Sequence, residues 1–179
     1  MGNFFTEEIV KDARFQSTER VSASALLEPI TRAGVAKIVQ QARALGIDVV
    51  AFETYRSLTR QAALFAQGTT QVKTGGVHHY GLACDIVKIV DGAPTWEGDY
   101  SFLGHLAHAN GLIWGGDWGQ PEVRHSFVDA VHVQRCIIAR QEALFAGEWY
   151  PGPDYDPYED VKANVMGAAS ILAAHRRTV

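Results

Sequence analysis

Apolar positions recur at helical spacing between residues 27 and 45. Leu27, Ile30, Val35, Ile38, Val39 and Ala42 share a face, and Gly46 supplies a stop. The period then shortens. Ile47-Asp48-Val49-Val50-Ala51-Phe52-Glu53-Thr54 is β-branched and apolar and predicts a strand. Ser57 stands where an N-cap belongs, ahead of a second helix over 58–66 that ends at Gly68. Residues 68–77, rich in glycine and threonine, predict a loop that delivers His78.

Leu82 to Val90 predicts another strand, closed by the turn pair Asp91-Gly92. An exposed loop over 93–99 and a helix from Tyr100 to Asn110, ended by Gly111, come next. Leu112-Ile113-Trp114 predicts a short strand cut by Gly115-Gly116. Residues 117–128 predict an irregular loop, Phe127 to Val133 a strand, and 134–146 a helix. Pro151-Gly152-Pro153-Asp154-Tyr155-Asp156-Pro157 predicts a rigid linker into a last helix over about 158–175. The class is α+β, a small antiparallel sheet flanked by helices. Residues 1–150 form the expected functional domain, and 151–179 a linker and helix appended to it.

Composition narrows the function classes. The chain has 179 residues, 47% of them hydrophobic, enough for one domain with a core. A net charge of −4, a pI near 5.9 and no Lys/Arg-rich run argue against nucleic acid or an anionic membrane as partner. Met1 to Glu8 carries acid where a signal peptide needs a basic start, and no stretch approaches the ~20 apolar residues of a membrane span. Synthesis in the cytoplasm without a signal peptide is the expectation. Cys84 and Cys136 read as reduced, partly buried thiols, although spacing leaves a disulfide open. Cys84 adjoins Asp85 and would point to the opposite face of a strand, which argues against cysteine as a metal ligand.

The chemistry concentrates in Val77-His78-His79-Tyr80-Gly81-Leu82-Ala83-Cys84-Asp85 and, far downstream, Asp129-Ala130-Val131-His132. His78, Asp85 and His132 offer two imidazoles and a carboxylate, which leaves one position of a tetrahedral zinc for water. Asp129 is a spare carboxylate near the last ligand, placed to take that water's proton. Zinc lowers the pKa of bound water to about 7, so the combination suits a mononuclear hydrolase. Each member alone has a plainer reading: a core histidine, a strand-end carboxylate, a solvated aspartate. The joint pattern is what points to a metal. Asp129 and His132 are three apart, so a regular strand would turn them to opposite faces, and an irregularity is expected between them.

These residues resemble a known family. His78-x-x-Gly81-x-Ala83-x-Asp85 is similar to the HxxGxAxD core of the M15 zinc peptidases. Tyr55-Arg56-Ser57 with Gln61, Leu64, Ala66, Gln67 and Gly68 resembles a segment of the phage L-alanyl-D-glutamate endopeptidase (endolysin), VanY-like branch. Trp114-Gly115-Gly116-Asp117-Trp118 and Asp129-x-x-His132 match its WGGDW and DxxH. The resemblance implies a hedgehog/DD-peptidase-like fold, Zn2+ on His78, Asp85 and His132, and Asp129 as general base. It implies Arg56 as the cation facing the scissile carbonyl oxygen. It also implies a zinc metallopeptidase acting on bacterial peptidoglycan stem peptides, between L-Ala and D-Glu. Such an enzyme reaches the cell wall after release or delivery, as an endolysin or an antibacterial effector; an effector would bring an immunity or delivery protein as partner. A D-Ala-D-Ala carboxypeptidase or dipeptidase, and an inactive zinc-stabilised binding module, are the alternatives.

Three features depart from that branch. Gly76 stands where serine is usual, Gln134 where glutamate is usual, and the stretch from Trp118 to Asp129 is longer. Trp114 reads as core. Trp118 reads as either core or cleft wall, and Asp117 as either a turn residue or a partner orienting a ligand histidine.

Overall fold

The structure, a computed structural model, describes residues 2–70 and 75–175, with side chains to residue 166. Residues 71–74, in the middle of the loop predicted over 68–77, therefore lie outside the described residues. Helix α1 spans Pro29–Ala44, strand β1 Val49–Glu53 and helix α2 Leu58–Ala66. Strand β2 spans Ala83–Val90, β3 Ala93–Thr95, helix α3 Phe102–Ala109, β4 Ile113–Trp114 and β5 His132–Gln134. Helices α4, Gln141–Phe145, and α5, Pro157–His175, complete the order. No helix among the described residues is long and apolar enough to cross a membrane.

The sheet runs β1-β2-β5-β4, with β3 also on β2, and every pairing is antiparallel. Its period-2 alternation separates core from chemistry. Cys84 lies opposite Val133, and both turn to a core shared with Val35, Ile38 and Ala42 of α1 and Leu103 and Ala107 of α3. Asp85 lies opposite His132, so these two share the other face. On the far side of β2, Glu53 is also aligned with Asp85, after an irregularity that leaves Phe52 as the extra residue of a bulge. Glu53, Asp85 and His132 thus form one cross-strand row.

Helix starts follow their caps. Glu28 accepts from the Thr31 N–H at 2.9 Å to open α1, and Ser57 from Arg60 N–H at 3.0 Å to open α2. Asp91 and Gly92 both take positive φ, 51° and 77°, as a two-residue hairpin turn of this hand requires. The hairpin's second arm, β3, occupies part of the stretch expected as loop, because the turn returns the chain alongside Lys88–Val90. The strand expected over 127–133 shortens to His132–Gln134, and the helix expected from 134 starts only at the 3-10 turn Ile138–Arg140. Arg135 instead continues the strand's pairing, donating its N–H to Leu82 C=O at 2.8 Å.

Two segments without apolar periodicity are nevertheless tied down. The N-terminal arm crosses the Tyr55-Arg56-Ser57 segment: Tyr55 hydroxyl donates to Phe15 C=O at 2.7 Å and Ser57 hydroxyl to Ser17 C=O at 2.5 Å. At the other end, Arg135 is 1% exposed, pairs with Glu28 at 3.1 Å and donates to the carbonyls of Gly152, Pro153 and Tyr155. Tyr158 at the head of α5 stacks on His108, with ring centroids 4.1 Å apart, and donates to Leu112 C=O at 2.9 Å. Both cysteines are free and buried, in separate apolar clusters.

Candidate metal centre

Three sequence-distant elements deliver three donor atoms to one point. His78 comes from the 3-10 turn Val77–Tyr80, which ends at Gly81. Gly81 has φ 71°, and a Cβ there would stand 2.5 Å from Leu26 C=O, so both the left-handed turn and the close approach demand glycine. The chain then enters β2, which carries Asp85 three residues after Leu82, and β5 supplies His132 from the neighbouring strand.

His78 Nε2 lies 3.1 Å from Asp85 Oδ1 and 3.2 Å from His132 Nδ1, and His132 Nδ1 lies 3.2 Å from the same Asp85 oxygen. Ligands about 2.0 Å from a tetrahedral zinc stand about 3.3 Å from one another, so this near-equilateral triangle fits one triangular face of such a site. The three residues are the group of His, Cys, Asp and Glu side chains that could hold a metal among the described residues. Two nitrogens and a carboxylate oxygen are also the donor set that suits zinc chemically.

Burial and charge act together here. Burial and the charges of Arg56 and His132 lower the basicity of His78, against the pull of Asp85. Burial would also lower His132, but Asp85 and Asp129 outweigh it and raise it. Burial alone would raise Asp85, yet the two imidazoles hold it well below the usual carboxylate range. The carboxylate is therefore ionised and ready as a ligand.

Arg56 stands behind Asp85 rather than in the open cleft. Its Nη2 donates to Asp85 Oδ2 at 2.9 Å and to Glu53, its Nε to Glu53 Oε2 at 2.8 Å, and its Nη1 to Gln61 Oε1 at 3.3 Å. Arg60 Nε closes the far side of Glu53 at 2.5 Å. Burial opposes the charge on Arg56, but Asp85 and Glu53 more than offset it, so the guanidinium stays charged. The motif alternates for a reason: Tyr55 and Ser57 hold the N-terminal arm, while Arg56 reaches the opposite way to Asp85.

Asp129 reaches the same cleft because the strand is broken where expected. His132 N–H bonds Asp129 C=O at 3.2 Å across a turn at Ala130-Val131. Gly115 clamps that turn: its N–H donates to His132 C=O at 2.8 Å and its C=O accepts from Asp129 N–H at 2.9 Å. A Cβ on Gly115 would meet Asp129 C=O at 2.5 Å and His132 Cβ at 3.2 Å. The first glycine of the Trp-Gly-Gly-Asp-Trp segment is thus the space into which the Asp129–His132 turn fits.

The cleft has a volume of about 270 Å³ and is lined, among the described residues, by His78, Asp129, His132, Trp118, Phe127 and Phe145 with others. Trp118 is therefore wall rather than core: its ring stacks on Phe127 at 6.0 Å and stands 5.9 Å from His132. It is held in a left-handed conformation, φ 50°, by its indole N–H on Phe127 C=O at 2.9 Å. Trp114 packs against the core as expected and donates to Ala130 C=O at 2.8 Å. Asp117 is a turn residue, accepting from Gly119 N–H at 2.8 Å. Sequence reasoning missed Glu53 and the contact of Gln134 with His132, at 2.9 Å. His79, next to the ligand, is packed among Phe5, Phe15, Tyr55 and Tyr80 instead.

Comparison with known proteins gives concordant matches. A family model described as D-alanyl-D-alanine carboxypeptidase, of the M15 peptidases, matches residues 70–135, which include all three donors and Asp129. The peptidoglycan L-alanyl-D-glutamate endopeptidase CwlK of Bacillus subtilis (strain 168) is 32% identical over 113 residues, covering 51% of this chain and 66% of CwlK. The L-alanyl-D-glutamate peptidase of Listeria phage A118 is 34% identical over 146 residues, covering 79% of this chain and 50% of the phage protein. The chain thus spans about two thirds of one relative's length and half of the other's. Among solved structures, the L-Ala D-Glu endopeptidase ChiX of Serratia marcescens matches with a TM-score of 0.46 and 23% identity, over 66% of this chain and 90% of that one. The chain belongs to the M15 family of peptidases.

Proposed function

We propose that this protein is a zinc-dependent peptidoglycan endopeptidase that hydrolyses bacterial stem peptides at the L-Ala–D-Glu bond. The observation that carries the reading is the triangle of His78, Asp85 and His132 with Asp129 on the same cleft. The bond preference is supported by the two curated relatives, both named for L-alanyl-D-glutamate cleavage. Residues 1–150 are the catalytic unit in this reading, and 151–179 an appendage to it.

His78, Asp85 and His132 would hold zinc, which would supply Lewis acidity toward the substrate carbonyl and acidify water. The chain's own residues do the rest. Asp129 accepts one proton from the attacking water, whose oxygen bonds to the carbonyl carbon. Asp129 then gives that proton to the amide nitrogen as the C–N bond breaks and the amine leaves. Arg56 fixes Asp85 through Oδ2 and sets a positive charge beside the ligand set, which favours the developing oxyanion. Trp118 and Phe127 form an apolar wall that holds the peptide and limits water. The wall is the site of action, reached after release or delivery, in the setting of an endolysin or an antibacterial effector with an immunity or delivery partner.

The matching family model's description supports a second reading with the same chemistry, removal of terminal D-Ala. Digestion of purified peptidoglycan with and without a chelator, read by mass spectrometry, separates the two. New peptides beginning with D-Glu are expected, and they should disappear with chelator. Loss of terminal D-Ala instead would favour the second reading, and no chelator-sensitive product of either kind would overturn both.

A further inference from the structure

His132 and Gln134 lie two apart on β5 and so share a face of the strand. Gln134 is 1% exposed, and both ends of its amide are engaged. The NH2 end donates to Cys136 C=O. A carbonyl only accepts, so the amide cannot turn over. Its oxygen is thereby held 2.9 Å from His132 Nε2. That oxygen has no hydrogen of its own, so the bond requires the ring proton on Nε2. A neutral imidazole carries one N–H, which leaves His132 Nδ1 as a bare lone pair. It is Nδ1 that stands 3.2 Å from both His78 Nε2 and Asp85 Oδ1. His78 offers the contrast: its outer nitrogen, Nδ1, has no hydrogen-bond partner among the described residues.

We propose that Gln134 is the positioning residue that selects the Nε2–H tautomer of His132, and with it Nδ1 as the metal-binding atom, in a relay anchored on the Cys136 carbonyl. The inference rests on the reading of His78, Asp85 and His132 as zinc ligands. Because the amide is neutral, it orders the ring without setting a second anion beneath the metal. The relay also ties ligand geometry to the backbone at Cys136, a residue with no metal contact of its own.

Two measurements on the full chain test this: zinc affinity by competition with a chromophoric chelator, and imidazole proton–nitrogen correlation spectra. The spectra are recorded on metal-free protein at about pH 8.5, where an ordinary imidazole is neutral. Wild type, Gln134→Leu and Gln134→Glu are compared, with folding checked by circular dichroism. Wild-type His132 should be protonated at Nε2 before metal is added. Gln134→Leu should show mixed tautomers and lose about 10–100-fold in zinc affinity, the usual cost of deleting a partner behind a ligand. Gln134→Glu, which still accepts, should keep the Nε2–H tautomer and bind zinc within about tenfold of wild type.

Wild-type His132 with its single ring proton on Nδ1 and Nε2 bare, or a folded Gln134→Leu with wild-type zinc affinity, would overturn the proposal. Should the leucine variant fail to fold, the wild-type tautomer and the glutamate variant still decide. Wild-type protein that binds no zinc would overturn the ligand reading itself, a result distinguishable from all of these.

Discussion

Arg56 and Asp85 meet across 2.9 Å, Nη2 to Oδ2, through the carboxylate oxygen that the two histidines leave unused. One oxygen of Asp85 thus faces the two histidines and the other a guanidinium, itself braced by Glu53. Arg56→Lys keeps a charge but cannot reach Glu53 and Asp85 together, because the ammonium lacks the planar fork. Peptidoglycan hydrolysis should fall by about 10²–10³-fold, the range for losing one preorganised donor. Zinc content, measured by elemental analysis, should fall as well. Wild-type turnover in this variant would remove Arg56 from the mechanism.

Asp129 and His132 should separate by assay although they lie on one turn. Asp129→Asn should keep stoichiometric zinc and the fold, yet lose about 10²–10⁴-fold in hydrolysis, as expected for a general base. His132→Ala should lose the metal itself. Full activity of the asparagine variant, or unchanged zinc in the alanine variant, would reassign the residue concerned.

Gly115→Ala tests the packing that brings those two together. The added Cβ would stand 2.5 Å from a backbone oxygen, Asp129 C=O, which has no rotamer to relax into. We expect a loss of about 1–3 kcal/mol in denaturant-unfolding free energy, typical of overpacking, together with a fall in activity. Unaltered stability would show that the turn has room the structure denies it.

The thiols should be inert in the folded protein. Burial pushes Cys136 up to about 12, and burial and then Asp85 push Cys84 well above its ordinary value. Labelling by a thiol reagent should be negligible until denaturant is added, when both cysteines react. The same shifts set a pH dependence. Unfolded thiols ionise near about 8.5 while the folded ones stay neutral, so the unfolded state holds fewer protons above that pH. Stability is therefore full below about pH 8.5 and declines as pH rises toward 12. Chemical denaturation of wild type and Cys136→Ala across that range should show a shallower alkaline decline in the variant.

What was legible in the sequence was what periodicity and local chemistry control. The helix at 29–44 follows its apolar face, and the strand at 49–53 its β-branched run. The convergence of His78, Asp85 and His132 was legible because each sits in a dense local motif, and even the break between Asp129 and His132 follows from the mismatch of a three-residue offset with a period of two. The failures share another cause. Glu53 matters because a bulge at Phe52 aligns it with Asp85, and a bulge leaves no mark in the hydrophobic pattern. The strand expected over 127–133 is longer than the one formed because Phe127 and Val128 look apolar enough to belong to it, whereas both lie exposed and Phe127 lines the cleft. Gln134 looked like a departure from a pattern; its meaning depends on the Cys136 carbonyl, a backbone group that no residue name announces.

Strand β5 and the residue after it place His132, Gln134 and Arg135 within four positions, the last of them buried among carbonyls of residues 152–155. The boundary near residue 150 is therefore a seam in sequence and not in mechanics. A chain shortened there would keep His78, Asp85 and His132 and still strip the buried Arg135 of three of its acceptors, one residue from Gln134 and its contact with His132. For anyone trimming this protein or fusing a cargo to its tail, the region after 150 acts as the outer half of a splint whose inner half lies under His132.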